Sequence, residues 1–564
     1  MKAPQEARYD TLVIGSGAAG LSAALSAALH GLKVLVVEKT EFIGGTTAWS
    51  GGAAWLPANP LLDGDTAEAG RTYIRELIGN FYDPAMIDSF IANASRMIDC
   101  FQTGSSSVRF QHIPLPDYHQ DLAGSTLGGR SVIPLPYDAR KLGPWLQRLR
   151  HPKPEMTVFG GMQAELAELS HLQSSWRSWS SFRIAAPLVA RYLADRLRFG
   201  RGTRTIRGTA LAGRLLRSCL DAGVEFWTEA KVQRLIARER RAVGAVVWHE
   251  GSEVTVHAAR GVVIATGGFI GDPEMRKANI PYPDEHIDIL LSANIGDGIR
   301  LAREIGAALG PDNAQNAIWS PGSQRRLKNG ALSTYPHFLL DRCKPGAIMV
   351  DRSGRRFVNE GSSYHTIGNV MHERGAVPGW LIADHRFLRK YGMGMARPAP
   401  YPVGPRVREG YLIKADTIAG LAAKIGVDPA GLEEEVTRMN RFAEAGVDED
   451  FGKGADAYSR FLGDAEHKPS PSLGPIRSAP FYALALYVTD AGTTLGLRVD
   501  PDARVLDEIG QPIPALFAAG LDMNSVLRGH YPGGGSMIGP ALTFGYVAGR
   551  TMAEGLSNDG ALAQ

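Results

Sequence analysis

A glycine-rich turn between two buried strands constrains this chain more than any other feature. Residues 9–38 run as a short apolar strand, the turn Gly15-Ser16-Gly17-Ala18-Ala19-Gly20, a helix of small residues, and a second apolar strand ending at Glu38. Short apolar runs bounded by glycine fit strands that are buried on both faces, so the stretch reads as a βαβ unit of a parallel sheet. Such a sheet needs helices on both faces, which selects an α/β fold. In this setting Gly15 makes the tight turn, Gly17 lets a pyrophosphate approach the backbone, and Gly20 lets helix and sheet pack closely. The free N–H groups at the helix start favour phosphate. Glu38, followed by Lys39, is spaced to accept both hydroxyls of a ribose.

Just beyond the acid lies Gly44-Gly45-Thr46-Thr47-Ala48-Trp49-Ser50-Gly51-Gly52. A nicotinamide dehydrogenase has no use for this second run of exposed backbone, whereas an isoalloxazine or pyrophosphate can lie along it. Two further buried strands end in glycine turns, one at Ala265-Thr266-Gly267-Gly268 and one at Gly520-Leu521-Asp522. If all three strands share a sheet, the chain leaves the nucleotide domain and later returns to it. The expected architecture is α/β: a split Rossmann-type FAD-binding domain, 1–318 and 489–564, with an α+β catalytic domain, 319–488, inserted. Inside the insert, 347–358 reads as strand–turn–strand with Ser353-Gly354 at the tip, and Pro429 to Ala445 as a helix.

Composition mainly excludes. With 564 residues, 44 % of them hydrophobic and 21 % charged, the chain is neither disordered nor fibrous. Three cysteines, Cys100, Cys219 and Cys343, fit neither a disulfide framework nor a metal site, so a reducing compartment, the cytoplasm, is expected. No His-Glu-x-x-His spacing occurs and no metal is expected. The first residues lack the apolar core of a signal peptide, and no apolar run is long enough to span a bilayer.

The net charge of +3 hides an uneven distribution, because residues 140–207 hold 13 Lys/Arg against 4 Asp/Glu. Within 145–204, Trp176, Trp179, Phe182, Ile184, Leu188, Val189, Tyr192, Leu193 and Phe199 alternate with Arg177, Arg183, Arg191, Arg196, Arg198, Arg201 and Arg204. Two readings stand side by side. One is peripheral contact with an anionic membrane surface; the other is a packed helical insertion whose arginines are solvated. Nucleic acid is not an expected partner.

These motifs together resemble the flavoprotein family that includes fumarate reductases and 3-ketosteroid dehydrogenases. Further markers are Gly296-Asp297-Gly298, the run from Gly354 to Glu360, and Gly533-Gly534-Gly535 through Gly539-Pro540. The resemblance implies FAD, held by Gly15 to Gly20, Glu38, Lys39, Gly44, Gly45, Thr46, Thr47, Ser50, Gly51 and Gly52. It adds Val232, Ala265, Thr266, Gly267, Gly520, Asp522, Ser536 and Ile538 as cofactor contacts. Covalent members use a His in the glycine cluster; Thr46 and Thr47 stand here instead, which implies non-covalent FAD.

The branch decision rests on few positions. Fumarate reductases place a catalytic Arg five residues after the Asn of Arg-Phe-x-Asn-Glu, and here that position is Tyr364. Tyr531-Pro532-Gly533-Gly534-Gly535 is similar to the ketosteroid Δ1-dehydrogenase segment in which a Tyr hydroxyl and a Gly amide hold the substrate carbonyl. Tyr118 matches that group's third active-site tyrosine, whereas Gly534 departs from a common Pro. The resemblance thus implies 1,2-dehydrogenation of a 3-ketosteroid. Tyr364, with Tyr118, would remove the C2 proton, and Tyr531 and Gly535 would stabilise the oxyanion. An external acceptor such as a quinone would reoxidise the flavin. The alternatives are 3-ketosteroid Δ4-(5α)-dehydrogenation, a fumarate-reductase-like role, or a flavin-binding electron carrier.

Overall fold

The computed structural model describes residues 5–287, 293–339 and 341–561. The three separated apolar strands do share one sheet. Strand Gln5–Ile14 lies between Ser252–Ile264 and Val34–Val37, parallel to both, and Ser252–Ile264 pairs in parallel with Pro512–Ala518. Glu225–Trp227 extends the far edge beside Val34–Val37, and an antiparallel flap, Lys231–Arg238 and Arg241–His249, pairs onto Ser252–Ile264.

Helix Ala18–Leu29 is buried along most of its length because its small residues admit a second helix, Ile538–Ala561, at close range. A Cβ on Gly545 would stand 2.5 Å from the Ala19 carbonyl oxygen, and one on Gly549 2.6 Å from that of Ala23. Ser22 Oγ donates to the Leu542 carbonyl at 2.5 Å and Ser26 Oγ to the Tyr546 carbonyl at 2.8 Å. Each buried hydroxyl is thereby satisfied, as burial requires.

The second sheet is ordered Leu332–Pro336, Ala317–Arg326, Phe481–Thr493, Gly379–Asp384, Ala347–Val350. Strand Phe481–Thr493 is its spine, pairing also with His286–Ile287 and Ile413–Ala415. This sheet therefore draws on residues before 319, and its spine runs past 488. Helix Pro429–Ala445 coincides with the helix read from sequence, with Asp428 capping its start and Gly446 its end at φ +76°. The strand–turn–strand at 347–358 needs correction. It shrinks to a single bridge, Val350 to Arg356, because Ala347–Val350 pairs along its length with Gly379–Asp384. Gly354, at φ +76°, instead lets the turn press against the start of the 429–445 helix.

Residues 166–199 fold into two helices, Leu166–Ser174 and Trp179–Phe199. Tyr192, Leu188 and Val189 face inward onto Met162 and Ala164, whereas Trp176, Trp179 and Leu197 are 58 %, 73 % and 91 % exposed. The expected solvated arginines are only partly so. Arg201 is buried against the Leu146 and Leu149 carbonyls, Arg204 pairs with Glu168, and Arg191 with Asp138. No helix among the described residues is long and apolar enough to cross a membrane.

Candidate active site

A cleft with about 680 Å³ of empty volume opens at the end of the nucleotide sheet. Its walls include Gly15, Ser16, Gly17, Glu38, Lys39, Gly45, Thr46, Val232, Ala265, Thr266 and Gly267, together with Asp297 of the Gly296-Asp297-Gly298 marker and with Arg150 and Asn294, which the sequence reading did not single out. The glycines divide by task. Gly15 has φ +106°, and a Cβ there or on Gly20 would strike neighbouring backbone at 2.2 or 2.0 Å. A Cβ on Gly17 would have only Thr47 Oγ1 near, at 3.7 Å, because it would project into the cleft. Gly17 also precedes the open start of helix Ala18–Leu29. This is a cradle that a side chain would fill and that a phosphate fits.

Glu38 closes the rim. One carboxylate oxygen accepts from Ser16 Oγ at 2.6 Å, the other from Thr40 N and Oγ1 at 2.9 Å. Lys39 pairs with Asp297 at 2.5 Å.

Several expected contacts act from behind the wall. Thr47 Oγ1 accepts from Ala18 N at 2.9 Å. A Cβ on Gly520 would meet that of Ala19 at 2.8 Å. The Asp522 carboxylate is fully buried and accepts from Thr266 Oγ1 and the amides of Thr266, Gly267 and Gly268, so it shapes their turn instead of facing the cleft. Ser50 Oγ accepts from Gly52 N at 3.0 Å, Gly44 N donates to Ser16 O at 3.1 Å, and Gly51 has open space beside it. Ser536 Oγ donates to the Gly533 carbonyl at 2.7 Å and fixes the glycine loop; Ile538 begins the final helix.

Beyond Ser50 the three tyrosines converge. The ring centres of Tyr364 and Tyr531 lie 5.1 Å apart, those of Tyr118 and Tyr364 6.0 Å, and those of Tyr118 and Tyr531 5.9 Å. Tyr364 is the first residue of helix Tyr364–Glu373, capped by Ser363. Tyr118 is held by its own N–H on the Pro532 carbonyl at 2.9 Å, which ties its loop to the Tyr531 segment. The preceding residue, Asp117, is locked in a buried pair with Arg130 at 2.5 Å. Gly535 has φ +101°, and a Cβ there would meet the Ala53 carbonyl oxygen at 2.3 Å. Its amide lies within reach of the Tyr531 hydroxyl, which also interacts with that of Tyr364. Phe338 completes the pocket, 4.8 Å from the Tyr364 ring.

Burial pushes all three phenols above their ordinary pKa, most strongly Tyr118 and Tyr364. The opposing influence on Tyr118 and on its neighbour Tyr458, 4.5 Å away, is the cation Arg342. Arg342 is fully buried and donates to the carbonyls of His337, Phe338, Glu360 and Ser362. It thus braces both segments that deliver Phe338 and Tyr364. Arg356 and Glu360, prominent in the sequence, anchor the same loop through a buried network with Asp448 and Lys453. No group of residues able to hold a metal occurs among the described residues.

A family profile described as "FAD binding domain" matches residues 10–538. The chain belongs to this FAD-binding flavoprotein family. A 4-oxocyclohex-2-ene-1-carboxylate 5-dehydrogenase of Sinomonas cyclohexanicum is 40 % identical, covering 97 % of this chain and 94 % of that protein. A 3-oxosteroid 1-dehydrogenase of Mycobacterium tuberculosis is 35 % identical, covering 97 % and 98 %. Among solved structures, the 3-ketosteroid Δ1-dehydrogenase of Sterolibacterium denitrificans, in complex with 1,4-androstadiene-3,17-dione, is 34 % identical. It superimposes with a TM-score of 0.88 over 97 % of this chain and 100 % of that one. The chain is an FAD-dependent dehydrogenase, as the motifs implied.

The sequence reading missed Arg342 and Phe338. Neither sits in a spacing with chemical meaning, and Arg342 acts through backbone carbonyls that no side-chain motif records.

Proposed function

We propose that this flavoenzyme inserts a carbon–carbon double bond beside a ring ketone, as in 1,2-dehydrogenation of a 3-ketosteroid. The convergence of Tyr118, Tyr364 and Tyr531 next to the Gly535 amide carries this reading. The Tyr531 hydroxyl and the Gly535 N–H hold the carbonyl oxygen and stabilise it as negative charge develops. Tyr364, as phenolate, takes the proton from the α-carbon, with Tyr118 and Tyr458 leading the charge toward Arg342. Non-covalent FAD, held by the cleft from Gly15 to Gly267, supplies the hydride acceptor for the β-carbon. Burial of the pocket excludes water from the enolate. An external acceptor, a quinone or similar carrier, then removes the electrons.

The test is anaerobic mixing of the yellow holoenzyme with androst-4-ene-3,17-dione and with 4-oxocyclohexanecarboxylate. Loss of the flavin's visible absorbance with a ring ketone supports the reading; a flavin that neither ketone reduces overturns it and leaves an electron carrier.

A second reading, supported by the Sinomonas relative, keeps the chemistry and changes the substrate to a smaller ring ketone bearing a carboxylate. Arg207 favours it, as argued below. The exposed Trp176 and Trp179 beside Arg177 and Arg183 support peripheral contact with anionic lipid.

A further inference from the structure

One guanidinium beside the pocket has no hydrogen-bond or ion-pair partner among the described residues. Arg207 opens helix Arg207–Asp221, and among the described residues no hydrogen bond or ion pair reaches its side chain. Its neighbours differ: Arg201 donates to two carbonyls and Arg204 pairs with Glu168 at 2.7 Å. Arg207 is also one of the few non-glycine residues at positive φ, +53°. A long side chain held in that conformation costs free energy, and such strain collects where a side chain is needed in one direction.

Its place in the fold sets its backbone against the wall of the pocket. A Cβ on Gly52 would lie 2.4 Å from the Arg207 carbonyl carbon, and one on Gly535 would lie 2.3 Å from the Ala53 carbonyl oxygen. The consecutive residues Gly52 and Ala53 thus join Arg207 to the wall that carries the Gly535 amide. Tyr335, on the strand that leads to Phe338 and so to the Tyr364 ring, is close enough to interact electrostatically with Arg207.

The charged groups around Arg207 do not neutralise it. Glu165 exerts only a distant pull. Arg397, which also acts on Tyr335, adds a second positive charge and spends one donor on the Thr157 carbonyl. Asp341, the acid nearest Tyr335, is committed to His337 at 2.7 Å and to the Gly394 amide at 2.8 Å. A partly desolvated guanidinium does not shed its proton, so its charge calls for an anion. Nothing in a neutral diketone supplies one.

We propose that Arg207 is a carboxylate anchor, and that the substrate is a cyclic ketone carrying a carboxylate at the end opposite its carbonyl. This rests on the ring-ketone reading above and narrows it. The planar guanidinium fork matches a carboxylate bidentately, whereas Tyr531 and Gly535 hold the ketone, so the two ends fix which ring carbon faces the base. The carboxylate belongs to a single ring or to a steroid frame; the recognition chemistry is the same.

The experiment uses the FAD-loaded full chain and three ketones: 4-oxocyclohexanecarboxylate, a 3-oxo-4-androstene bearing a 17-carboxylate, and androst-4-ene-3,17-dione. Arg207→Gly suits the left-handed backbone, so its fold is retained, and Arg207→Lys restores charge without the fork. In the parent enzyme one of the two acids has a higher kcat/KM than the dione, and which one identifies the frame. In Arg207→Gly the ratio of acid to dione kcat/KM falls by roughly 10- to 100-fold, the range of a charge-assisted hydrogen-bonded pair, and Lys recovers part of it. A parent enzyme that prefers the dione to both acids, or a ratio unmoved by Arg207→Gly, overturns the proposal while leaving the dehydrogenation intact.

If no ketone reduces the flavin, the ring-ketone reading itself has failed. The anchor is then tested without turnover, by titrating 4-hydroxybenzoate and phenol and following the flavin spectrum. Tighter binding of the acid, lost in Arg207→Gly, supports the anchor; equal binding of the two, or a preference that survives the substitution, removes it.

Discussion

The cofactor cleft and the tyrosine pocket are neighbours built on opposite plans. The cleft is made of backbone: Gly15, Gly17 and Gly20 matter for the side chains they lack, and Asp522 serves by holding the amides of 266–268 in a turn. The pocket is made of side chains carried by five separate segments around Tyr118, Phe338, Tyr364, Tyr458 and Tyr531. A backbone site fails when an atom is added, because there is no room for it. A side-chain site fails when an atom is taken away, because the geometry persists but the chemistry is gone. The contrast is testable at single residues.

Adding atoms to the cleft has the largest effect. Gly17→Val places methyls where only Thr47 Oγ1 is near, so the protein should fold yet purify colourless and inactive. Absorbance and circular dichroism together check this; a yellow variant with bound FAD would mean that the phosphates lie elsewhere. Removing one oxygen from the pocket comes next. Tyr364→Phe should keep FAD and lower kcat by about 10²–10⁴-fold, the usual contribution of a general base. Tyr531→Phe should cost on the order of 10²–10³-fold, as for one oxyanion donor. Near-parent rates in both, measured with the flavin bound, would dissolve the pocket as a catalytic unit.

Arg342 sharpens the comparison because it works by charge and by bracing together. Burial raises the phenols and the cation opposes that rise at Tyr118 and Tyr458, so removing it lets burial raise both further. The phenolate then requires higher pH. Arg342→Met should move the rising limb of the kcat/KM–pH profile to the alkaline side, and Arg342→Lys should keep the limb near its place while lowering the rate. A profile unmoved in Arg342→Met would reduce the residue to a scaffold. The smallest effect belongs to the outer helix. Trp176 and Trp179 changed to Ser should abolish the salt-resistant part of binding to anionic vesicles without altering FAD content. A parent protein that never sediments with such vesicles would make the helical pair a packed insertion.

The same division explains what could be read from the chain before its structure. Backbone sites need residues contiguous in sequence, so the turn from Gly15 to Gly20 and the apolar strands ending at Ile264 and Ala518 were visible as patterns. The 429–445 helix is likewise local, with Asp428 capping its start and Gly446 closing its end. The 347–358 hairpin misled because its first strand pairs with 379–384, a partner that no local signal names. In the basic segment, composition gave the charge but not which arginines would turn inward, since Arg191 and Arg204 depend on acids at 138 and 168 that only the fold brings close. Arg342 was hidden for a simpler reason: its partners are carbonyls, and every residue has one.

The packing of helix Ala18–Leu29 on Ile538–Ala561 has a consequence for how the protein is made. Ser22 and the carbonyl it binds are 520 residues apart in the chain. At a synthesis rate of roughly 5–20 residues per second, the nucleotide turn waits on the order of 30 to 100 s for the helix that covers it. During that time its alanine and serine face is bare, and the strand Pro512–Ala518 that borders Ser252–Ile264 does not yet exist. Cofactor capture is therefore a late event in biosynthesis. The motif that is synthesised ahead of the rest of this fold is the one whose surroundings are completed last.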